Sequence, residues 1–439
     1  MRMDWNRLVS DLRCPKGEGE PLAAARVEDF RSAFEADYDR IIFSAPFRRL
    51  ARKTQVHPMS LNDQVHTRLT HSLEVANVGR SLGRRLVGFL EKRGEFPQKI
   101  TPFDLIAIIQ SACLAHDIGN PPFGHAGEFA IREWVRMHPV EVFGEREAVG
   151  EGVRHDFLRF EGNAQGFRIA SRGDNPQAGY LRLTVAALGA MIKYPWDSSD
   201  GRARDQGKYN VFSTEKAFFE RIAEGTGMAQ RNGVIARHPL SFLSEAADDI
   251  CYRILDLEDA AEIRIVPEVR VRGIYRKLNE RDGKDGPLAV LRGKAIQTLI
   301  NGMWEVFEKN YEEIMAGRRE RELKLDLNAA LAEPLEEIKE LYQEIFAERS
   351  KIAAELGAYK ALGRIVKALC QATRTLGEAG AFGSTGFLAQ RCLELAWGKE
   401  YATENEKRPY EWWLHQVMDF VAGLTDNYAR QLSREIEGT

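Results

Sequence analysis

The fold of this chain is decided by the stretch from Thr101 to Pro122, "TPFDLIAIIQSACLAHDIGNPP". Thr101 is a favoured N-cap residue, and Pro102 suits the first position of a helix. The apolar residues that follow predict a buried helix, which the Gly-Asn-Pro-Pro sequence ends. A histidine and an aspartate, His116 and Asp117, are therefore expected at the C-terminal end of a buried helix.

Two other segments have the spacing of helices that turn polar side chains towards this one. In "HTRLTHSLEVANVGRSLGRRLVGFL", which starts at His66, Arg68 and His71 share one face with apolar residues at three- and four-residue steps. In "EAADDICYRILDLEDA", Asp248, Tyr252 and Asp256 recur at four-residue steps. Each of these sets is expected on one helix face.

Composition narrows the class of protein. The 439 residues include 62 Lys and Arg against 65 Asp and Glu, and the net charge of -3 does not favour a strongly basic nucleic-acid binder. No apolar run is long enough for a membrane helix, and the first ten residues lack the apolar core of a signal peptide. The five cysteines form no Cys-x-x-Cys pair. We expect a cytoplasmic protein with no membrane segment.

The chain as a whole reads as one helix after another, so the predicted fold class is all-α. We predict loops at 144–156, 171–179, 197–210 and 280–287, where polar and glycine-containing stretches interrupt the helices. The predicted organisation is an N-terminal segment over 1–40, a helical core over 41–287 and a C-terminal helical part over 288–439. That last part is expected to support the site or an oligomer interface.

Imidazoles and carboxylates from several helices can hold a divalent transition metal while leaving positions open for water and substrate. His71, His116, Asp117 and Asp248 offer such a set. Taken singly, each has an ordinary structural explanation, such as a core histidine or a helix cap. Together they favour a metal, because a buried carboxylate costs several kcal/mol unless it is paired or metal-bound.

The order "RLTH", "HDIGNPPFGHAGE" and "EAADDICYRILDLEDA" resembles the HD-domain metallophosphohydrolases, and among them the deoxynucleoside triphosphate (dNTP) triphosphohydrolases, or dGTPase-like proteins. The further segments "FSAPFRRLARKTQV", "FEGNAQ" and "KYPW" extend the similarity from about Ile41 to Ala260. The resemblance implies an HD-type helical bundle with a C-terminal helical extension. Where some members have another histidine, this chain has Asn120, as in the bacterial dGTPase-like branch.

By position, the resemblance implies four metal ligands at His71, His116, Asp117 and Asp248. Asp249 is the alternative to Asp248, which is preferred because Tyr252 and Asp256 then match the sugar-contacting tyrosine and aspartate of the family. The remaining matches are a catalytic pair and a set of substrate contacts. They fall on His125 and Glu128, and on Arg68, Gln55, Asn163, Lys193, Tyr194 and Lys208.

The implied reaction is hydrolysis of a dNTP at the α-phosphate, giving a deoxynucleoside and tripolyphosphate. The implied cofactor is one divalent metal ion per site, with Mn, Mg, Fe, Co, Ni and Zn all open. dNTP or single-stranded DNA effectors and a homo-oligomer are further expectations from the resemblance. Two alternatives stay open: an HD-type nucleotidase or phosphodiesterase acting on another nucleotide, and a non-catalytic module that binds nucleotides or single-stranded DNA.

Overall fold

The computed structural model is almost entirely helical, which confirms the all-α class. It describes residues 2–14, 21–25, 30–55, 64–144, 149–172, 181–228, 230–231, 234–279, 286–347 and 349–438. Two short strands, β1 (Gln230–Arg231) and β2 (Val234–Ile235), pair antiparallel. The α-helices are α1 (Trp5–Leu8), α2 (Ala33–Ile42), α3 (Ala45–Arg49), α4 (Arg68–Arg93), α5 (Pro102–Ala115), α6 (His125–Met137), α7 (Pro139–Phe143), α8 (Glu151–Leu158), α9 (Gly162–Ser171), α10 (Val185–Met191), α11 (Gly201–Gln206), α12 (Lys216–Thr226), α13 (Pro239–Glu262), α14 (Glu268–Leu278), α15 (Leu288–Lys309), α16 (Tyr311–Met315), α17 (Ala329–Phe346), α18 (Arg349–Ala379), α19 (Phe387–Trp397), α20 (Lys399–Glu404), α21 (Tyr410–Gly423) and α22 (Asp426–Glu437).

The helix predicted from the opening stretch is α5, and its start is fixed by a capping box. The Thr101 hydroxyl accepts from the Asp104 backbone N–H at 3.2 Å, and the Asp104 carboxylate accepts from the Thr101 N–H at 2.8 Å. The last helical residue is Ala115, and His116 is the C-cap. The sequence signals therefore place the histidine and aspartate at the end of this buried helix.

Three helices position the candidate site. α4 packs against both α5 and α13, and α5 also packs against α13. Arg68 and His71, in the first turn of α4, are buried together with Val75, Val78 and Leu82 on the same face. The first turn of α4 and the middle of α13 therefore meet at the end of α5.

The buried apolar residues form two large clusters that cross the predicted boundary near residue 288. One cluster runs from the N-terminal residues through α4, α5 and α13 to α15 and α17. The other joins α6 and α8 to α18, α21 and α22. The C-terminal helices thus pack against the segment that follows α5, and the division at residue 288 stays a prediction.

Two predicted loops contain helix. α8 fills the second half of 144–156, and α11 lies inside 197–210, where Asp200 caps it by accepting from the Arg202 N–H. These are short helices whose polar sequence lacks an apolar stripe long enough to predict them. Most of the other two predicted loops, residues 173–179 of one and 280–285 of the other, lies outside the described residues. Within the described ranges, no helix has the length and apolar character needed to cross a membrane.

Candidate metal centre and active site

His71, His116 and Asp117 bring one ligand atom each to within 4.8 Å of one another. The two imidazole rings lie edge to face, with centroids 5.4 Å apart. His71 comes from the first turn of α4, while His116 and Asp117 follow the last turn of α5. All three side chains are largely buried, so the group offers nitrogen and oxygen donors in a space with little water.

Asp248, on α13, completes this donor group. Its Oδ1 lies 3.1 Å from His71 Nε2 and 3.4 Å from His116 Nε2. The neighbouring Asp249 instead accepts from Lys324 Nζ at 2.8 Å. Of the two aspartates, Asp248 is the one whose carboxylate reaches both histidines.

Hydrogen bonding fixes which nitrogen His116 offers. Its Nδ1 lies 2.7 Å from the carbonyl oxygen of Cys113, which can only accept, so Nδ1 carries the proton. In the neutral imidazole, Nε2 therefore carries the free lone pair, and this nitrogen faces Asp117 and Asp248. A backbone carbonyl that orients a histidine in this way is typical of metal ligands.

The charges of the donor group suit a cation. Burial by itself would raise the pKa of Asp117, but the Arg68 guanidinium and the nearby imidazoles hold it well below its usual range. The pKa of Asp248 is likewise held low, against burial, by Lys193 and His116. Both carboxylates are ionised at neutral pH. A buried pair of carboxylates beside two imidazoles fits a divalent metal ion.

The turn after α5 depends on a glycine at a close approach. A Cβ on Gly119 would overlap the backbone N of Gly166 and the backbone O of Gly162, both in α9. This contact lets α9 lie directly against the turn. It thereby brings Asn163 and the N-terminal end of α9 to the same side as the donor group.

His125 and Glu128 lie in the first turn of α6 and form a hydrogen-bonded pair. His125 Nδ1 is 2.9 Å from Glu128 Oε2, while Glu128 Oε1 accepts from the Gly162 N–H at 2.7 Å. The His125 side chain is 70% exposed and that of Glu128 is 1% exposed. Burial would raise the pKa of Glu128, but its bond to His125 and the charges around it lower that pKa to about 2. The carboxylate thus orients the ring and leaves Nε2 for a substrate or water.

A cavity of about 920 Å³ opens over the donor group and His125. It is lined by most of the predicted site residues, while His71 and Glu128 lie behind residues that line it. The predicted residues that line it are Gln55, Arg68, His116, Asp117, His125, Asn163, Lys193, Tyr194, Lys208, Asp248 and Tyr252.

Three of the cationic side chains that line the cavity are each paired with a carboxylate. Arg68 Nη1 donates to Asp117 at 2.6 Å, and Lys193 Nζ donates to Asp248 at 2.7 Å. Lys208 Nζ donates to Glu161 at 3.0 Å. Burial by itself would lower the pKa values of Lys193 and Lys208, but the adjacent carboxylates outweigh burial and raise both pKa values. The two lysines therefore stay charged.

Two of the three predicted sugar-contacting residues line the cavity, and the third does not. Gln55 and Tyr252 line the cavity, and Tyr252 packs against Tyr342 with ring centroids 5.4 Å apart. Asp256, one helical turn further along α13, is buried and is not among the lining residues. Gln55 Oε1 and Asp256 Oδ2 are buried with no hydrogen-bond partner in the part of the chain that the structure describes. Both atoms are available for a hydrogen bond, and burial, together with the nearby Asp259, raises the pKa of Asp256.

A second set of lining residues was missed by sequence reasoning. The first turns of α18 contribute Lys351, Ile352, Glu355, Leu356 and Tyr359. We call these five residues the C-terminal wall, and we call the other lining residues, which lie between Thr54 and Tyr252 in the sequence, the motif wall. Lys351, Glu355 and Tyr359 recur at four-residue steps, so they share a helix face. That spacing was visible in the sequence, but it is common in exposed amphipathic helices.

Comparison with known proteins agrees with this arrangement. The family model described as "HD domain" matches residues 68–187, which include His71, His116 and Asp117. A "Deoxyguanosinetriphosphate triphosphohydrolase-like protein" of Pseudomonas aeruginosa (strain LESB58) is 42% identical over 453 residues, covering 99% of each chain. The chain belongs to the dGTP triphosphohydrolase-like family.

Two more distant relatives carry the same description over the full length. Those of Synechocystis sp. (strain ATCC 27184 / PCC 6803 / Kazusa) and Listeria innocua serovar 6a (strain ATCC BAA-680 / CLIP 11262) are 36% and 31% identical, and both cover 99% of this chain and at least 99% of their own. Membership in the dGTP triphosphohydrolase-like family points to an HD-type phosphohydrolase. HD domains depend on a metal, which agrees with the donor group at the end of α5.

Proposed function

We propose that this protein hydrolyses a deoxynucleoside triphosphate at the α-phosphorus and releases a deoxynucleoside and intact tripolyphosphate. The observation that carries the proposal is a single cavity lined by candidate metal donors, by His125 and by the cationic side chains of Arg68, Lys193 and Lys208. The relatives that match this chain over 99% of its length, and that are named "Deoxyguanosinetriphosphate triphosphohydrolase-like protein", support the same reaction. In the overall reaction, the oxygen of water bonds to the α-phosphorus and the bond from that phosphorus to the 5′-oxygen breaks.

The proposed metal ligands are His71, His116, Asp117 and Asp248. When a divalent metal is bound there, it supplies a Lewis acid for a phosphate oxygen and lowers the pKa of a nearby water. Mixed imidazole and carboxylate ligation accepts Mn, Mg, Fe, Co, Ni or Zn. The Cys113 carbonyl keeps Nε2 of His116 turned towards the other donors, so the set needs little rearrangement to bind the ion.

His125 is the proposed proton-transfer residue. Its Nδ1 is engaged by Glu128, so the proton is moved at Nε2, either from the attacking water or to the departing 5′-oxygen. Glu128 stays ionised and holds the ring in one orientation.

Arg68, Lys193 and Lys208 are the proposed triphosphate contacts, together with Asn163 and Tyr194. A triphosphate is highly charged, and cations in a recessed cavity bind it and stabilise charge in the transition state. Arg68 suits a two-point contact and each lysine a single one. The carboxylates that already hold these side chains keep them in place before the substrate arrives.

Gln55, Tyr252 and Asp256 are the proposed sugar contacts. Tyr252 lines the cavity and is supported from behind by Tyr342, so a sugar ring packed on it leaves no room for a 2′-hydroxyl. The unpaired oxygens of Gln55 and Asp256 suit hydrogen bonds with a 3′-hydroxyl and with a base or sugar edge. This arrangement favours deoxyribose over ribose.

The test is a product assay with the metal-loaded protein. Each of the four dNTPs and GTP is incubated separately, and nucleoside, orthophosphate and tripolyphosphate are resolved. We expect tripolyphosphate and a deoxynucleoside from at least one dNTP, GTP left intact, and a loss of at least about 1,000-fold in His116→Ala and Asp117→Ala. Turnover unchanged in those variants, or orthophosphate as the product, contradicts the proposal.

Effectors and assembly belong to the same proposal. We propose activation by a dNTP or by single-stranded DNA and a homo-oligomeric state, as in the resemblance drawn from the sequence. The dNTP panel is therefore repeated with mixed dNTPs and with single-stranded DNA. The oligomeric state is measured by light scattering under each condition.

A further inference from the structure

The turn that joins the metal donors to His125 has a backbone that needs support. Phe123 has a φ of 66° and Gly124 a φ of 57°, so two consecutive residues are left-handed. Glycine adopts this conformation freely, but phenylalanine does so at a cost in free energy. A residue held there is stable only where its surroundings fix it.

The support comes from the last helix of the chain. The backbone N–H of Phe123 donates to Oδ1 of Asp426 at 2.8 Å. The other oxygen of this carboxylate accepts from the Thr54 N–H at 3.0 Å and from the Thr54 hydroxyl at 2.6 Å. Asp426 is 3% exposed and is the first residue of α22, where a helix end favours a negative charge. One buried carboxylate thus ties together three distant segments.

A buried lysine supports the same turn at its other end. Lys53 Nζ donates to the backbone oxygens of Asn120 and Ala422, at 2.6 Å each. Lys53 and Thr54 are adjacent in sequence, and Ala422 is near the end of α21. The turn between Asn120 and Phe123 is therefore clamped to the C-terminal helices at both of its ends.

This clamp controls how His125 sits relative to the metal donors. Gly124 packs against the Arg68 guanidinium so closely that a Cβ there would overlap it. Arg68 in turn bonds to Asp117, one of the donors. The next residue, His125, begins α6. A shift of Phe123 would move His125 without moving α4, α5 or α13, which position the donors.

We propose that Asp426 is a positioning residue that sets the distance between His125 and the metal donors by holding Phe123 in its left-handed conformation. The rate measurement that tests this inference rests on the proposed function. The contact between Asp426 and Phe123, and its effect on the turn, do not depend on which phosphate ester is cleaved. The C-terminal helices are, on this view, a working part of the active site.

The rate test compares Asp426→Ala and Asp426→Asn with Glu435→Gln, an exposed acidic residue on the same helix that bonds to Gln431. We expect kcat to fall about 100-fold in Asp426→Ala and about 10-fold in Asp426→Asn, because the amide keeps one acceptor for the Phe123 N–H. KM and the directly measured affinity for Mn²⁺ should stay within about threefold. Glu435→Gln should match the wild type.

A second readout does not depend on turnover. Amide hydrogen exchange over residues 117–125 should accelerate at least tenfold in Asp426→Ala and stay unchanged in Glu435→Gln. If exchange and kcat are both unaffected in Asp426→Ala, the proposal is wrong. If Mn²⁺ affinity falls in parallel with kcat, Asp426 supports the whole fold and the positioning role is also wrong. Should Asp426→Ala fail to fold, the same criteria apply to Asp426→Asn.

If the proposed function is wrong, the results differ from those expected if only the positioning role is wrong. Wild-type protein that releases no tripolyphosphate under any condition contradicts the reaction, while the exchange result still decides the role of Asp426. Conversely, wild-type tripolyphosphate release with unaltered exchange in Asp426→Ala retains the reaction and removes the positioning role.

Discussion

The motif wall and the C-terminal wall line one cavity but are built on different principles. The motif wall carries buried charged side chains that hold one another, such as Arg68 with Asp117 and Lys193 with Asp248. The C-terminal wall presents exposed residues, with Leu356 63% and Ile352 47% exposed. We therefore expect the chemistry, which needs fixed geometry, on the motif wall. The exposed side chains of the C-terminal wall are less constrained by their neighbours.

The largest difference between the two regions is expected in how an added methyl group changes the free energy of unfolding. Gly119→Ala places a Cβ against the backbone of α9, so we expect the free energy of unfolding to fall by about 3 kcal/mol or more. Gly357→Ala, in α18, meets no atom within 4 Å and should raise it by roughly 0.5–1 kcal/mol. Urea unfolding of both variants measures this. Equal effects would show that the two walls are packed alike.

The next difference concerns the rate. Glu128→Gln removes the carboxylate that orients His125, and we expect kcat for tripolyphosphate release to fall about 100-fold. Glu355→Gln makes the same chemical change on the C-terminal wall. A loss in Glu128→Gln no greater than in Glu355→Gln would contradict the role given to this pair.

A pH-dependent difference should follow from His66, just before α4. Burial would lower its pKa, but hydrogen bonds with Asp259 and Glu74 raise it to about 10. The folded-state pKa lies above the unfolded one, so the stability gained is complete below about pH 6.5 and is lost as the pH rises through about 10. We expect His66→Gln to cost about 2 kcal/mol at pH 6 and less than half of that above pH 10.

Urea unfolding at both pH values measures the cost of His66→Gln. The control is His155→Gln, whose ring lies 3.4 Å from Ser199 Oγ and 3.9 Å from Glu151. Its cost should be below about 0.5 kcal/mol at either pH. A pH-independent cost in His66→Gln would show that the ring is not charged in the folded protein.

The smallest effect is expected on the C-terminal wall itself. Glu355→Gln should change kcat by less than about threefold, because Glu355 lies in an exposed part of the lining. We expect its effect instead in the ratio of KM values among the four dNTPs, by about three- to fivefold. Steady-state kinetics with each dNTP measures this. A large fall in kcat would place the C-terminal wall in the chemistry.

Much of the motif wall could be predicted from local patterns. The capping signals at Thr101 gave the start of α5, and four-residue steps gave the shared face of Asp248 and Tyr252. Adjacency and helix spacing are properties of nearby residues, so a sequence displays them directly. The short helices α8 and α11 were missed because their polar sequences resemble loops. Asp256 as a sugar contact stays a prediction.

What the sequence by itself determined is the all-α class, the dGTP triphosphohydrolase-like family and the residues able to hold a metal around His116. Only the tertiary structure decided that α18 lines the cavity and that Asp426 supports Phe123, a contact across 303 positions. The physical reason is that hydrogen bonds between distant segments depend on how helices pack. Such contacts leave no periodicity and no fixed spacing in the chain.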